Sequence, residues 1–101
     1  MSNVTQSEMH PQGHAVEVIV RSPAGTPHPF NFRLHELGAE ATAKAIAYFV
    51  GKQEIEPGDY ALELVRDGVA NPIADTARLS DYDLHDGDEL RLIPEKPQVD
   101  G

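Results

Sequence analysis

The sequence predicts an α+β fold: one helix lying across one face of a mixed sheet of four to five strands. Three observations point there. Several segments alternate apolar and polar residues with the two-residue period of a half-buried strand. One alanine-rich segment among them carries the helical period instead. A further short segment holds a proline that only an edge strand tolerates. A single helix is too few for a doubly wound sheet, so one covered face is the economical layer arrangement.

Taken in order, residues 1–13 are polar, with Pro11 and Gly13 as breakers, and read as a disordered N-terminal tail. The stretch HAVEVIVRS places Val16, Val18 and Val20 on one face, with Glu17 and Arg21 on the other. PAGTPHP is a proline-loosened turn, and FNFRLHE alternates again with Phe30, Phe32 and Leu34 on one face, so the two strands pair as a hairpin. In LGAEATAKAIAYFVGKQ the period changes. Ala39, Ala43, Ile46, Ala47 and Val50 fall at helical spacing, with Thr42 and Phe49 at the edges of that stripe. Glu40 and Lys52 suit the two ends of the helix dipole, and Gly51 is a stop signal. A Pro-Gly turn leads to a third strand in which Tyr60, Leu62 and Leu64 alternate with Ala61, Glu63 and Val65 until Gly68 ends it. VANPIADTAR is the short edge strand, because Pro72 cannot donate to a ladder. DELRLIP closes the sheet with Leu90 and Leu92 inward. The expected core is Val16, Val18, Phe30, Phe32, Ile46, Val50, Leu62, Leu64, Leu90 and Leu92. The domain therefore spans 14–94, and 95–101 is a flexible tail ending in glycine.

Composition narrows the function. The 101 residues suffice for one small domain. With no cysteine there is no disulfide framework, no thiolate metal site and no cysteine nucleophile. A formal charge of -9 makes the chain a poor partner for nucleic acid or anionic lipid. No signal peptide or apolar membrane span is apparent, so the expectation is a soluble, cytoplasmic monomer whose partners are proteins.

LSDYDLHDGDELRLI concentrates Asp81, Asp83, Asp86 and Asp88 just before the last strand. A calcium loop would need a glycine at its sixth position and a bidentate glutamate at its twelfth. Counting from Asp81, Gly87 comes one residue late and no glutamate closes the pattern. Turn chemistry explains the aspartates better. Ser80 and Asp81 can accept from backbone donors and start a helical turn. Asp86-Gly87 can reverse the chain, Tyr82 can pack inward with its hydroxyl on a backbone group, and Leu79 and Leu84 can cover the core. His10, His14, His28, His35 and His85 show no metal-ligand spacing on a helix. The serines Ser2, Ser7, Ser22 and Ser80 lack a nucleophile-elbow context, and Glu54 and Glu56 flank a solvated turn. No metal, cofactor or enzymatic activity is expected.

The leucine-serine-aspartate-tyrosine turn running into the last strand resembles the corresponding segment of ubiquitin. QEIEPGDYALEL is similar to ubiquitin's loop from helix to third strand. The likeness covers roughly Val16 to Ile93 and implies a ubiquitin-like β-grasp fold. It further implies a protein modifier, of a bacterial kind given the polar start and the divergence elsewhere. Such a modifier is attached through its C-terminal glycine by an activating and a conjugating enzyme and removed by a deconjugating protease. Gly101 would be the conjugated residue and Pro94, Glu95, Lys96, Pro97, Gln98, Val99 and Asp100 its delivery arm. Asp100-Gly101 stands where eukaryotic modifiers and sulfur carriers have paired glycines, and the arm lacks ubiquitin's arginines. Alternation turns Val65 and Ile93 away from the core on neighbouring strands. They are expected to form one aliphatic patch, joined by Pro23 or Ala24 from the first turn, where the resemblance also implies the recognition surface. Two other readings stay open: a non-conjugated adaptor or accessory subunit that binds through its sheet, and a sulfur carrier using the same glycine.

Overall fold

A computed structural model describes residues 14–95. Strands β1 (Ala15–Arg21) and β2 (Pro27–Arg33) form an antiparallel hairpin, followed by helix α1 (Gly38–Gly51). A second antiparallel hairpin joins β3 (Tyr60–Arg66) to β4 (Val69–Ile73). A 3-10 turn at Leu79–Tyr82 then leads into β5 (Glu89–Pro94). The five strands lie in the order β2-β1-β5-β3-β4. Strand β5 fills the centre, parallel to β1 and antiparallel to β3, which makes the sheet mixed.

Both edges are protected by proline. Pro72 lies in β4, as its chemistry requires, and Pro27 and Pro29 lie inside β2. The sequence placed the start of the second strand at Phe30; the strand begins three residues earlier. An edge strand has one unpaired side, so the missing N–H groups cost no ladder bond while denying a template to other chains. Leu34, read as part of that strand, lies just beyond it, with its N–H on the His14 carbonyl at 2.9 Å. The β3–β4 turn consists of Asp67 and Gly68 with φ of 53° and 76°, the paired left-handed residues of a type I′ hairpin.

The core lies between the sheet and α1. Val16, Val18, Val20, Phe32, Leu62, Leu64, Ile73, Leu90 and Leu92 come from the sheet, Ala41, Ala45 and Phe49 from the helix, and Leu79 and Leu84 close one end. Phe30 and Ile46 are only partly buried against it, and Val50 is half-buried. The helix is rotated from the expected stripe. Its buried residues are Gly38, Ala41, Thr42, Ala45 and Phe49, whereas Ala39, Ala43 and Ala47 face solvent. Alanine occupies every second position from Ala39 to Ala47, so it marks no single face of a helix. The orientation is set by Phe49, whose ring is the largest apolar group the helix can bury. Thr42 joins that face because its hydroxyl donates to the Gly38 carbonyl at 2.8 Å.

Both helix ends are tied. The Glu40 carboxylate accepts from the Leu37 N–H at 3.0 Å. Gly38 N–H and Ala39 N–H donate to the carbonyls of Ala77 and Asp75, docking the first turn on the loop after β4. Gly51, expected to stop the helix, is its last helical residue. The left-handed residue is Gln53, at φ 62°. Gln53 N–H reaches the Val50 carbonyl and Glu54 N–H the Phe49 carbonyl, the bond pair of a Schellman motif.

The four aspartates serve as turn and tertiary acceptors. Asp81 takes the Arg78 N–H at 3.2 Å and Asp86 the Glu17 N–H of β1 at 2.9 Å. Asp83 ends the 3-10 turn in the left-handed conformation. Asp88 accepts from the His85 N–H at 2.8 Å and from the Arg66 guanidinium at 2.6 Å. Gly87, at φ 91°, makes the reversal into β5. The Tyr82 hydroxyl accepts from the Ala74 N–H at 2.8 Å, and Leu79 and Leu84 are buried. Ser80 takes part through its backbone, its N–H donating to the Leu34 carbonyl.

Candidate recognition surface

Among the described residues no element covers the face of the sheet away from α1, and the strand pairings fix what it displays. Because Val16, Val18 and Val20 point inward, β1 turns Ala15, Glu17, Ile19 and Arg21 outward. By the same alternation β5 displays Glu89, Arg91 and Ile93, and β3 displays Ala61, Glu63 and Val65. From the edges come Pro27, Pro29, Asn31 and Arg33 of β2 and Ala70 and Pro72 of β4.

The registers arrange these residues in rows across the strands. One row runs Pro29, Ile19, Glu89, Val65, Ala70. The next runs Pro27, Arg21, Arg91, Glu63, Pro72. A third holds Ile93 opposite Ala61. Val65 and Ile93 do share a face, but they do not form the single patch expected of them. Val65 pairs with Glu89, and Ile93 pairs with Ala61 four residues further along β5, a separation of about 13 Å at the strand rise. The row between them is charged. Alternation assigned the correct face to both residues, but it carries no information on register, and register is what decides adjacency. Both are half-buried.

Pro23 and Ala24 are exposed at the tip of the β1–β2 turn, where Gly25 takes φ 99°. Because β1 and β5 run parallel, that tip lies at the Ile93 end of the sheet and not at the Val65 end. Ile19 and Arg91, which the sequence reading did not single out, are central to this face. Their signal was available: Ile19 lies between Val18 and Val20, and Arg91 between Leu90 and Leu92.

The electrostatics of the face differ from those of the rest of the molecule. It carries three acids (Glu17, Glu63, Glu89) and three bases (Arg21, Arg33, Arg91), a balance of zero in a chain of net charge -9. Arg21 is committed: its Nε donates to Glu89 at 3.1 Å and its Nη1 to the Gly25 carbonyl at 3.0 Å. Arg91 is exposed, and among the described residues it makes no ion pair and no side-chain hydrogen bond.

Pro94, assigned to the arm, is the last residue of β5 and pairs with Tyr60. The Glu95 N–H donates to the Asp59 carbonyl at 2.9 Å, so the chain is still held to the domain there. Lys96, Pro97, Gln98, Val99, Asp100 and Gly101 lie outside the described residues, as does the N-terminal stretch 1–13. Among the described residues no group of three or more metal-ligating side chains comes together, and no helix is long and apolar enough to cross a membrane. His28 stacks on Tyr48 with ring centroids 3.8 Å apart, and Phe30 meets both rings edge-on.

No family model matches the chain, and no curated protein matches it in sequence. Solved structures do share its fold. The chain is similar to tubulin-binding cofactor B of Trypanosoma brucei, at 18% identity and a TM-score of 0.64, over 84% of this chain and 100% of that one. It is likewise similar to the ubiquitin like domain of PLXNC1, at 12% identity and a TM-score of 0.68, over 81% of this chain and 100% of that one. At such identities the likeness concerns the fold alone, and that fold is the ubiquitin-like β-grasp: a five-stranded mixed sheet with one helix across it.

Proposed function

We propose that this chain is a ubiquitin-like protein that other proteins recognise by the outer face of its sheet, and that it is attached to targets as a modifier through Gly101. One observation carries the reading. The central strand β5 of a ubiquitin-like β-grasp sheet contributes Arg91 and Ile93 to its outer face. In the modifier reading, an enzyme would grip this face while the Gly101 carboxylate is delivered to its active site. The carboxylate would attack ATP to give an acyl-adenylate and pyrophosphate. A thiol would displace AMP, and a target lysine amine would displace the thiol to form an isopeptide. A glycine at the reacting end leaves the carbonyl unobstructed. The activating, conjugating and deconjugating enzymes supply the catalysis, so this chain needs no catalytic residue, metal or cofactor of its own.

Co-expression with candidate activating and conjugating enzymes, followed by mass spectrometry, tests this. The expected product is an Asp-Gly remnant on target lysines, lost when Gly101 is deleted and reduced when Gly101 is replaced by valine. A second reading, a non-conjugated adaptor, draws support from the charged row of Arg91 and Glu63, which gives the face a chemistry of its own. If intact protein forms no adduct and the Gly101 deletion acts like wild type, while substitutions on the sheet face abolish activity, the adaptor reading stands.

A further inference from the structure

Three Asp-Gly steps occur in the chain, at Asp67-Gly68, Asp86-Gly87 and Asp100-Gly101. Such a step is chemically labile, because glycine has no Cβ to shield its backbone nitrogen from the preceding carboxyl group. The fold treats the two described steps differently. At Asp86-Gly87 both reacting groups are held. The Gly87 N–H donates to the Glu17 carbonyl at 2.8 Å, and the Asp86 carboxylate accepts from the Glu17 N–H at 2.9 Å. At Asp67-Gly68 neither group is held. Both residues are exposed, and among the described residues neither the Asp67 carboxylate nor the Gly68 N–H has a hydrogen-bond or ion-pair partner. A Cβ at Gly68 would meet nothing within 4 Å, so a ring and an attacking water have room there. The turn is the tip of an edge hairpin: β4 is bonded to β3 alone, and its residues Val69, Ala70, Asn71 and Pro72 are exposed. Hairpin tips of this kind open locally at little cost. Ring closure requires Asp67 to leave its left-handed conformation, at φ 53°, and opening of the tip allows that without disturbing the core.

We propose that Asp67 is a site of spontaneous isoaspartate formation, and that this modification releases the edge strand β4. The Gly68 nitrogen attacks Cγ of the Asp67 carboxyl group in its acid form. The nitrogen gives up its proton and the carboxyl its hydroxyl, which leave together as water, and a five-membered succinimide closes. Water then opens the ring at either carbonyl. Attack at Cγ restores aspartate. Attack at the main-chain carbonyl carbon breaks its bond to the Gly68 nitrogen. The chain then runs on through Cγ, and the former main-chain carbonyl becomes a free carboxylate. One water leaves and one returns, so no oxidant or cofactor takes part. The product carries an extra methylene in its main chain. A two-residue type I′ turn closes only with both central residues at positive φ, and here those residues are Asp67 and Gly68, at 53° and 76°. The lengthened backbone no longer matches that turn, so the Arg66–Val69 pair beside it opens first. Loosening proceeds from the tip towards Ile73, whose burial in the core anchors the far end of β4.

The full chain is incubated in heavy-oxygen water, digested with trypsin and mapped by mass spectrometry. Cleavage after Arg66, Arg78 and Arg91 puts the three Asp-Gly steps on three different peptides. Isoaspartate is identified on each by methyl transfer from S-adenosylmethionine with an isoaspartyl methyltransferase. Synthetic peptides spanning each described step supply the unfolded rates. In the protein, Asp86 is expected to isomerise at least about tenfold more slowly than in its peptide, since two hydrogen bonds must break first. Asp67 is expected to stay within about threefold of its peptide, since only the hairpin tip must open. Failure of Asp67 to take up heavy oxygen, or protection of Asp67 as strong as that of Asp86, overturns the proposal. Asp67→Asn keeps a residue that this turn favours and reaches the same ring by loss of ammonia. It is expected to convert faster than wild type, and a circular dichroism melt checks that it folds. A folded Asp67→Asn protein that stays intact shows that the turn forbids ring closure, and overturns the proposal as well. The isoaspartyl form, isolated by ion exchange, is expected to gain amide exchange in the β3–β4 hairpin with β1 and β5 unchanged. Unaltered exchange in that hairpin overturns the release of β4.

Discussion

Gly38→Ala should be the most damaging single-methyl addition in the described domain. A Cβ at Gly38 would lie 2.1 Å from the Ala74 carbonyl oxygen and 3.0 Å from both the Ala74 carbonyl carbon and Ile73 Cγ2. Two of these three neighbours are backbone, so no side chain can rotate away, and the first turn of α1 must lift from the loop after β4. That movement strains the bonds from Gly38 N–H to Ala77 and from Ala39 N–H to Asp75, at 2.8 and 3.0 Å. Overpacking of this kind costs about 1–3 kcal/mol. Weakening one or two hydrogen bonds adds about 1 kcal/mol each, and the better helix propensity of alanine returns at most about 1 kcal/mol. The net expectation is a loss of about 1–4 kcal/mol, which for a domain of this size lowers Tm by roughly 4–30 °C. Circular dichroism melts and urea titrations measure both quantities. Gly51→Ala is the control. It adds the same methyl at the other end of the helix, where nothing lies within 4 Å, and should be neutral or stabilising by up to about 1 kcal/mol. A Gly38→Ala protein as stable as wild type would refute the close approach of helix and loop.

Three further outcomes follow from the core, the acidic turn and the open face. Leu64→Ala should cost about 2–5 kcal/mol, because Leu64 is buried among β3, β5 and α1 in a small core and leaves a cavity; a loss under 1 kcal/mol would place that side chain elsewhere. Burial raises the Asp88 carboxyl pKa, but the His85 N–H and the Arg66 guanidinium outweigh it and hold the group below the usual carboxylate value. A depressed folded-state pKa stabilises the fold above the unfolded value of about 3.9 and loses that contribution as pH falls through the folded value. Urea midpoints from pH 7 to pH 2 should therefore drop less steeply in the acid limb for Asp88→Asn than for wild type, and parallel curves would contradict the assignment. Val65→Asp and Ile93→Asp, on the outer face and half-buried, should each cost about 1 kcal/mol or less in stability while weakening partner binding; a variant that unfolds would show its residue to be part of the core.

How far the sequence discloses this molecule depends on which physical period each feature obeys. Two-residue alternation is strong in HAVEVIV, YALELV and DELRLI, and it placed Val16, Val18, Leu62, Leu64, Leu90 and Leu92 in the core, where the structure has them. The LSDYD turn was equally legible, since Leu79 and Leu84 cap the core and Tyr82 bonds a backbone N–H through its hydroxyl. The helix was legible in existence but not in rotation. Five alanines at alternate positions dilute the apolar contrast that a 3.6-residue period needs, and only Phe49 and the polar Thr42 break the tie. The extent of β2 was hidden by a rule applied too broadly. Proline excludes a central strand, yet at an edge Pro27 and Pro29 are compatible with pairing.

The outer face of the sheet shows the deeper limit. Its members follow from alternation alone, but their neighbours depend on how β1, β5 and β3 slide against one another, and that is settled by loops and core contacts far from the face. The Gly87 N–H on the Glu17 carbonyl, at 2.8 Å, and the Asp86 carboxylate on the Glu17 N–H fasten the start of β5 to β1. The Asp67-Gly68 turn fixes β4 against β3. A one-residue slip of β5 would turn Leu90 and Leu92 outward, so burial forbids it. A two-residue slip would preserve the faces and still change the rows: against β1 it would move Arg91 away from Arg21, and against β3 it would bring Ile93 opposite either Glu63 or Asp59. The acidic turn therefore does more than reverse the chain. By anchoring β5 to β1 through Glu17, it determines that Arg91, and not an aliphatic pair, occupies the middle of the face.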